Sequence, residues 1–143
     1  MSRTHQAVFW MTSMLLSLSV SAQTERSGEQ VYRQTCLSCH ATQFDKAPQF
    51  GDRKAWQPLI AEGQHVLTAH AWVGVRGMPA QGGQPDLSLQ EFANATAYMV
   101  RASGGSWPDV DAAMLARIRD EESKRRVELK AREAVKEQGK GGG

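Results

Sequence analysis

The chain has 143 residues, of which 41% are hydrophobic and 22% are charged, and its formal net charge is +2. A charge this close to neutral does not support nucleic-acid binding, which usually requires a strongly basic face. The two cysteines of the chain are Cys36 and Cys39. Because they are so close in sequence, they cannot join distant parts of a fold, and a framework of structural disulfides is excluded.

The first 22 residues have the pattern of a secretory signal peptide. Arg3 supplies positive charge, residues 7–20 are mainly apolar, and Val20-Ser21-Ala22 ends the segment with the small residues that an export peptidase requires. We expect cleavage after Ala22 and a periplasmic mature protein. The alternative is an uncleaved leader that anchors the chain in a membrane, although the apolar run is short for a span.

Composition divides the remaining residues into three segments. Residues 24–103 have a mixed composition and are predicted to form one domain. Residues 104–108, Gly-Gly-Ser-Trp-Pro, predict a hinge. Residues 109–143 are rich in Ala, Glu, Lys and Arg and end in three glycines, which predicts a charged helical tail with a frayed end.

Two capping boxes mark helix starts inside the domain. Ser27 is followed three positions later by Gln30, and Ser88 is followed in the same way by Glu91. The helix after Ser88 has apolar residues at a period of 3.6 and is expected to end before Gly104.

Two shorter helices are expected around residues 52–59 and 63–73, and loops rich in glycine and proline connect the elements. Strand patterns are poor, so the sequence predicts an all-α fold. A domain of about 80 residues is marginal for an apolar core of its own. A cofactor at its centre would supply part of the missing core.

The segment Cys36-Leu37-Ser38-Cys39-His40 matches the pattern C-x-x-C-H. In that pattern, the two thiols form thioether bonds to the vinyl groups of a haem, and the adjacent imidazole ligates the iron. The sequence therefore predicts one covalent haem c, anchored by Cys36 and Cys39 and ligated by His40.

Two other chemistries use the same cysteines. A thioredoxin-like dithiol would need a nucleophilic cysteine at a helix start in a βαβ setting, which the helical pattern does not supply. A zinc site could combine Cys36 and Cys39 with His65 and His70, but the gap before His65 is longer than in the usual zinc finger.

Met78 is the candidate for the second axial ligand of the iron. It lies in the tight segment Gly77-Met78-Pro79, and a thioether sulfur raises the reduction potential of the iron. Core packing is the ordinary role of a methionine. The remaining alternative for the axial position is ligation by His65 or His70.

The order of these motifs resembles the bacterial cytochrome c-five group within the class I cytochromes c, over about residues 27–102. The resemblance implies a small class I cytochrome c fold wrapped around one covalent haem. The segments that carry it are Cys36-Leu37-Ser38-Cys39-His40, Ala47-Pro48, Gly51-Asp52, Ala55-Trp56, Gly77-Met78-Pro79, Gly82-Gly83 and Leu87-Ser88.

The resemblance also assigns expected roles to individual residues. It implies that the face of Gly28 and Tyr32 crosses the last domain helix near Tyr98. The carbonyl of Pro48 is expected to accept the Nδ1 proton of the iron-ligating histidine. Trp56 is expected to pack by the haem, within reach of a propionate. The alternative is a plain core tryptophan.

The tail has four pairs of an acidic residue followed by a basic residue at the i,i+4 spacing that favours a helix. They are Asp120/Lys124, Glu121/Arg125, Glu122/Arg126 and Glu128/Arg132. Apolar positions are few. The tail is therefore either a solvated helix or a docking arm that uses the stripe Val110, Met114 and Ile118 against a partner or the domain itself.

Together these features predict a periplasmic monohaem electron-transfer protein that cycles between Fe(II) and Fe(III) with His/Met ligation. No catalytic residue is identified, and redox proteins are the expected partners. One alternative is a cytochrome subunit of a larger periplasmic oxidoreductase, docked through the tail. Another is a haem sensor or peroxidase, which would need an open or labile sixth position.

Overall fold

The computed structural model describes residues 25–41 and 46–140, so the predicted leader lies outside the described residues. The described residues are helical and contain no strand, apart from an isolated bridge between Val75 and Met78. The all-α prediction is confirmed. The helices are α1 (Gly28–Val31), a π-helical turn (Tyr32–Cys36), α2 (Leu37–His40), α3 (Arg53–Ala61), α4 (Gln64–Val73), a 3-10 turn (Ala80–Gly83), α5 (Leu89–Ala102) and α6 (Ala112–Lys140).

The first three elements follow one another without a break. Both predicted capping boxes are present: the Ser27 hydroxyl accepts a hydrogen bond from the backbone of Gln30, and the Ser88 hydroxyl accepts one from the backbone of Glu91. The helices predicted around residues 52–59 and 63–73 are α3 and α4, which begin after Asp52 and Gly63. The π-helical turn has no counterpart in the sequence prediction. Such turns are frequent at functional sites, and this one ends at Cys36.

α1 crosses α5 at very short range. A Cβ atom added to Gly28 would lie 2.2 Å from the backbone oxygen of Asn94 on α5, so that only glycine allows this approach. The Tyr32 ring lies 5.5 Å from the Tyr98 ring, and Phe50 stacks on Tyr32 at 4.4 Å. The expected crossing of the Gly28 and Tyr32 face with α5 is therefore confirmed.

α6 packs along α4. Ile118 is fully buried in the common core, Val110 is buried, and Met114 is partly buried against the core. The apolar stripe of the tail thus docks on the domain itself, which is one of the two expectations for a docking arm. From Lys130 to Lys140, by contrast, every residue of α6 is exposed.

Residues 104–108 join α5 to α6 and are hydrogen-bonded to the domain. The Gln64 side chain donates to the Pro108 carbonyl at 2.9 Å, and the Arg101 guanidinium donates to the Trp107 carbonyl at 2.8 Å. Movement at the predicted hinge stays a prediction. Over the described residues, no helix has both the length and the apolar character that a membrane crossing requires.

Ion pairs between neighbouring turns run along α6. Two of the four predicted i,i+4 pairs form, Glu122–Arg126 and Glu128–Arg132. Glu121 instead contacts Lys124, and Arg125 contacts Glu128, each at the i,i+3 spacing.

Candidate cofactor site

The two cysteines lie where the π-helical turn passes into α2. Cys36 is buried and Cys39 is exposed, and neither forms a disulfide. Burial raises the pKa of the Cys36 thiol to about 11, so that this thiol is protonated near neutral pH. Dithiol redox centres depend on a cysteine whose pKa is lowered. Cys36 is therefore not the activated thiol of a thioredoxin-like centre.

His40 is buried at the end of α2, and a well-placed acceptor faces its ring. Its Nδ1 atom lies 2.8 Å from the carbonyl oxygen of Pro48. Since a carbonyl can only accept, Nδ1 carries a proton, and in the neutral imidazole Nε2 then keeps its lone pair. This is the orientation that a histidine needs in order to ligate a metal through Nε2.

The loop after His40 is tied back to α2. The Phe50 amide donates to the His40 carbonyl at 2.6 Å, and the Gln49 side chain donates to the Cys39 carbonyl at 3.3 Å. The loop thereby fixes both the histidine ring and the end of the motif. Gln49 was missed in the sequence analysis, because a single glutamine in a loop has no motif that would identify it.

Trp56 lies beside this loop on α3. Its side chain is buried, and its ring centre lies 6.1 Å from that of His40. The indole N–H donates to the Gln49 carbonyl at 2.8 Å. The donor is thus satisfied inside the protein. Packing of Trp56 by the haem and its alternative, a plain core role, both stay predictions.

Met78 lies at the end of a tight turn. The backbone of Val75 and Met78 is paired in both directions, at 2.8 and 3.1 Å. The two residues between them, Arg76 and Gly77, have φ of 50° and 92°. Two consecutive positive φ values are typical of a type I′ turn. The Met78 side chain is partly buried against the core.

The loop that follows Met78 packs on the helix that bears the cysteines. A Cβ atom added to Gly82 would lie 3.4 Å from the Thr35 side chain and 4.0 Å from Phe92 on α5. Thr35 immediately precedes Cys36 in the chain. The fold therefore brings the Met78 loop, defined here as residues 74–83, next to the C-x-x-C-H motif.

His65 and His70 lie elsewhere. A guanidinium nitrogen of Arg117 is 3.1 Å from His65 Nδ1, and His70 lies 3.9 Å from Glu62 and 3.7 Å from Glu121. Within residues 25–41 and 46–140, no three His, Cys, Asp or Glu side chains form a metal-binding cluster. The zinc alternative is therefore not supported, and both histidines have partners on α6.

The donor set fits a covalent haem. The motif offers two thiols at the three-residue step, and the chain adds one imidazole whose Nε2 is left for a metal. A thioether follows on a loop packed against the same helix.

The family model described as "Cytochrome C oxidase, cbb3-type, subunit III" matches residues 23–99. Cytochrome c-555 of Chlorobaculum thiosulfatiphilum is 42% identical over 81 residues, which are 54% of this chain and 94% of that protein. Cytochrome c-555 of Chlorobaculum tepidum is 36% identical over 107 residues, 72% of this chain and 99% of that protein. Cytochrome c5 of Azotobacter vinelandii is 34% identical over 76 residues, 52% of this chain and 92% of that protein.

A solved structure is also similar. It is titled "Crystal structure of electron transfer complex of nitrite reductase with cytochrome c", and its matching chain is 38% identical with a TM-score of 0.51. The match covers 53% of this chain and 93% of that chain. Since the family model covers more than half of the sequence and the relatives are matched over nearly their whole length, this chain belongs to the cytochrome c family and is a monohaem c-type cytochrome related to cytochromes c-555 and c5.

Proposed function

We propose that this protein is a periplasmic electron carrier with one haem c bound through Cys36 and Cys39. His40 and Met78 are its axial ligands, and the iron cycles between Fe(II) and Fe(III). The observation that carries the proposal is the 2.8 Å contact between His40 Nδ1 and the Pro48 carbonyl, which directs Nε2 outward as a ligand.

The proposed ligands determine what the site can do. The haem supplies one-electron chemistry, and the protein controls access to the iron and its potential. A thioether ligand favours Fe(II) and so raises the reduction potential. Because His40 and Met78 fill both axial positions, no coordination site is left for oxygen or peroxide. Electron transfer is therefore favoured over catalysis, and no side chain is needed as an acid, base or nucleophile.

The surface around the motif supports contact with redox proteins. Cys39 is exposed, and Leu37 is one of the exposed large apolar side chains of the described residues. An apolar residue at such a position is suited to a transient protein contact. The similar chain of known structure is a cytochrome c from a complex with nitrite reductase, and we infer a redox protein as the partner of this chain as well.

A periplasmic location follows from the leader and from the motif together. Residues 1–22 have the signal-peptide pattern, and haem is attached to c-type cytochromes outside the cytoplasm. Export is therefore a condition for forming the proposed site.

Optical spectroscopy of the purified holoprotein tests the ligands. Reduction should give a c-type spectrum, and the oxidised form should have the weak far-red band of a sulfur–iron bond. Met78→Ala should abolish the far-red band. Met99→Leu is the matched control, since Met99 is buried in α5 and should leave the band unchanged. A far-red band that persists in Met78→Ala would contradict the assignment.

A subunit role in a larger oxidoreductase is the second candidate, because the matching family model is described as an oxidase subunit. The proposed docking arm, however, has its apolar stripe buried against its own domain. Purification from the source organism separates the candidates: a stable complex that requires residues 109–140 would overturn the free-carrier proposal. Binding of carbon monoxide by the untreated reduced protein would instead favour a sensor or peroxidase.

A further inference from the structure

We propose that α6 is a positioning element for the axial ligand: it fixes α4 and thereby holds the Met78 loop against the iron. This inference rests on the proposed function, since it presupposes that Met78 ligates the haem. It assigns a role to the part of the chain that lies beyond the family match, which ends at residue 99.

Three side-chain contacts join α4 to α6, and together they are called the brace. The Trp72 indole donates to Glu122 at 3.2 Å. Arg117 donates to His65 at 3.1 Å, since a guanidinium has no acceptor. His70 lies 3.7 Å from Glu121. The brace therefore spans most of the length of α4.

An apolar contact lies within the brace. Ile118 follows Arg117 on α6 and is fully buried, whereas most of the neighbouring α6 residues are exposed. Ordered polar contacts around a buried side chain fix the rotation of α6 as well as its position, because a helix that turned would expose Ile118 and break the polar contacts together. α4 and α6 thus behave as one unit.

α4 is connected to the Met78 loop by very little chain. It ends at Val73, and Val75 already pairs with Met78. At Gly74, φ is 100°, and an added Cβ would lie 3.2 Å from the Met78 oxygen and 3.1 Å from the Ala80 nitrogen. The loop backbone therefore rests directly on the end of α4, and a displacement of α4 displaces Met78.

A second route runs through aromatic rings. Trp72, which donates to Glu122, packs edge-on against Phe92 with ring centres 5.3 Å apart. Phe92 in turn lies beside Gly82, and Gly82 lies beside Thr35 next to the motif. The Trp72 indole is thus separated from the Met78 loop by the Phe92 ring alone. The Met78 loop in turn contacts the cysteine-bearing helix at Thr35.

The relatives indicate that this support is an addition. The family model ends at residue 99, before α6 begins at Ala112, and 81 aligned residues make up 94% of the relative from Chlorobaculum thiosulfatiphilum. The basic fold therefore forms without α6. α6 is not needed for the fold, yet polar and apolar contacts fix it on α4. The position of the Met78 loop, which depends on α4, explains why α6 is held there.

The test uses the full-length oxidised holoprotein and free imidazole, which competes with Met78 for the iron. Its apparent affinity rises with the fraction of molecules in which the sulfur has left. Trp72→Phe removes the donor of one brace contact, and Glu122→Ala removes its acceptor. We expect each variant to bind imidazole about tenfold more tightly than wild type. The double variant should resemble Trp72→Phe, because that variant already lacks the hydrogen bond to Glu122.

Two further variants separate positioning from general stability. Arg126→Ala removes the exposed ion pair of Glu122 but leaves its contact with Trp72, and it should keep the wild-type affinity for imidazole. Glu122→Gln retains an acceptor oxygen and should restore an affinity close to that of wild type. Unchanged imidazole affinity in both Trp72→Phe and Glu122→Ala, with the far-red band of wild type present, would overturn the brace and leave Met78 ligation standing. Absence of that band from wild type would overturn both proposals.

Discussion

Gly28 is a position where one methyl group decides the packing of two helices. An added Cβ would lie 2.2 Å from the Asn94 oxygen and 2.6 Å from its carbonyl carbon, and backbone atoms cannot move aside as a side chain does. Helix propensity favours alanine over glycine by about 1 kcal/mol. The clash should outweigh this gain, and we expect Gly28→Ala to destabilise the holoprotein by about 1–3 kcal/mol in urea unfolding.

Gly139→Ala is the matched control for Gly28→Ala. Gly139 also lies in a helix, but nothing is within 4 Å of an added Cβ. Only the difference in helix propensity between glycine and alanine applies there, so this variant should be as stable as wild type or slightly more stable. Equal stability of Gly28→Ala and wild type would show that α1 and α5 can separate at little cost, contrary to the geometry.

At the residue scale, the site residues that belong to a sequence motif could be predicted. A residue that contributes only through its contacts in the folded protein could not. Cys36, Cys39 and His40 form a pattern in which each residue has its own task. Gln49 has no such pattern. The backbone carbonyl of Gln49 accepts from the Trp56 indole, and the side-chain amide of Gln49 donates to the Cys39 carbonyl. These two contacts exist only once α2 and α3 have packed.

At the scale of elements, the ion pair of Arg26 and Glu91 ties the start of the domain to α5. Hydrogen bonds from Arg26 lower the pKa of the buried Glu91 to about 2, against an ordinary value of 4.5. A lowered pKa in the folded state stabilises the fold above the unfolded value and loses that effect as the pH falls. This contribution should therefore disappear between about pH 4.5 and pH 2.

Urea unfolding of the holoprotein at pH 7 and at pH 3 measures this effect. Arg26→Gln should lower the stability at pH 7 and should lose less stability on acidification than wild type does. Arg33→Gln is the control, because its ion pair with Glu29 is exposed and joins residues only four positions apart. If Arg26→Gln and wild type lost the same stability between the two pH values, the pair would not be the source of the acid sensitivity.

Element starts were predictable because their signals are local. Ser27 with Gln30 and Ser88 with Glu91 mark α1 and α5 within four residues of sequence. The π-helical turn and the contacts of α6 were not predictable in this way. Trp72 and Glu122 are 50 positions apart, and the only indication in the sequence was the apolar stripe that ends at Ile118.

At the scale of the whole molecule, α6 consists of two unlike parts. Its first half is anchored by the fully buried Ile118 and by the Glu122 contact to Trp72. From Lys130 onward it is exposed, and ion pairs within the helix are worth only a few tenths of a kcal/mol each. A helix as short as residues 130–140 is marginal in water when it is isolated. The second half of α6 therefore depends on the first half for its helical state.

This division predicts two different outcomes of shortening the chain. A holoprotein that ends at Leu129 loses only exposed residues from the described part of α6, and its thermal unfolding midpoint should match that of the full chain. A holoprotein that ends at Pro108 loses the buried side chains of Val110 and Ile118 and should be less stable by about 3 kcal/mol. This estimate is the free energy gained by burying apolar side chains less the conformational entropy cost of ordering α6. This shortened protein should nevertheless retain the c-type spectrum, because the family model matches residues 23–99 and so ends before α6 begins. Equal midpoints for the two shortened proteins would mean that α6 does not stabilise the domain, and the packing of Ile118 would then lack the consequence expected of a buried side chain.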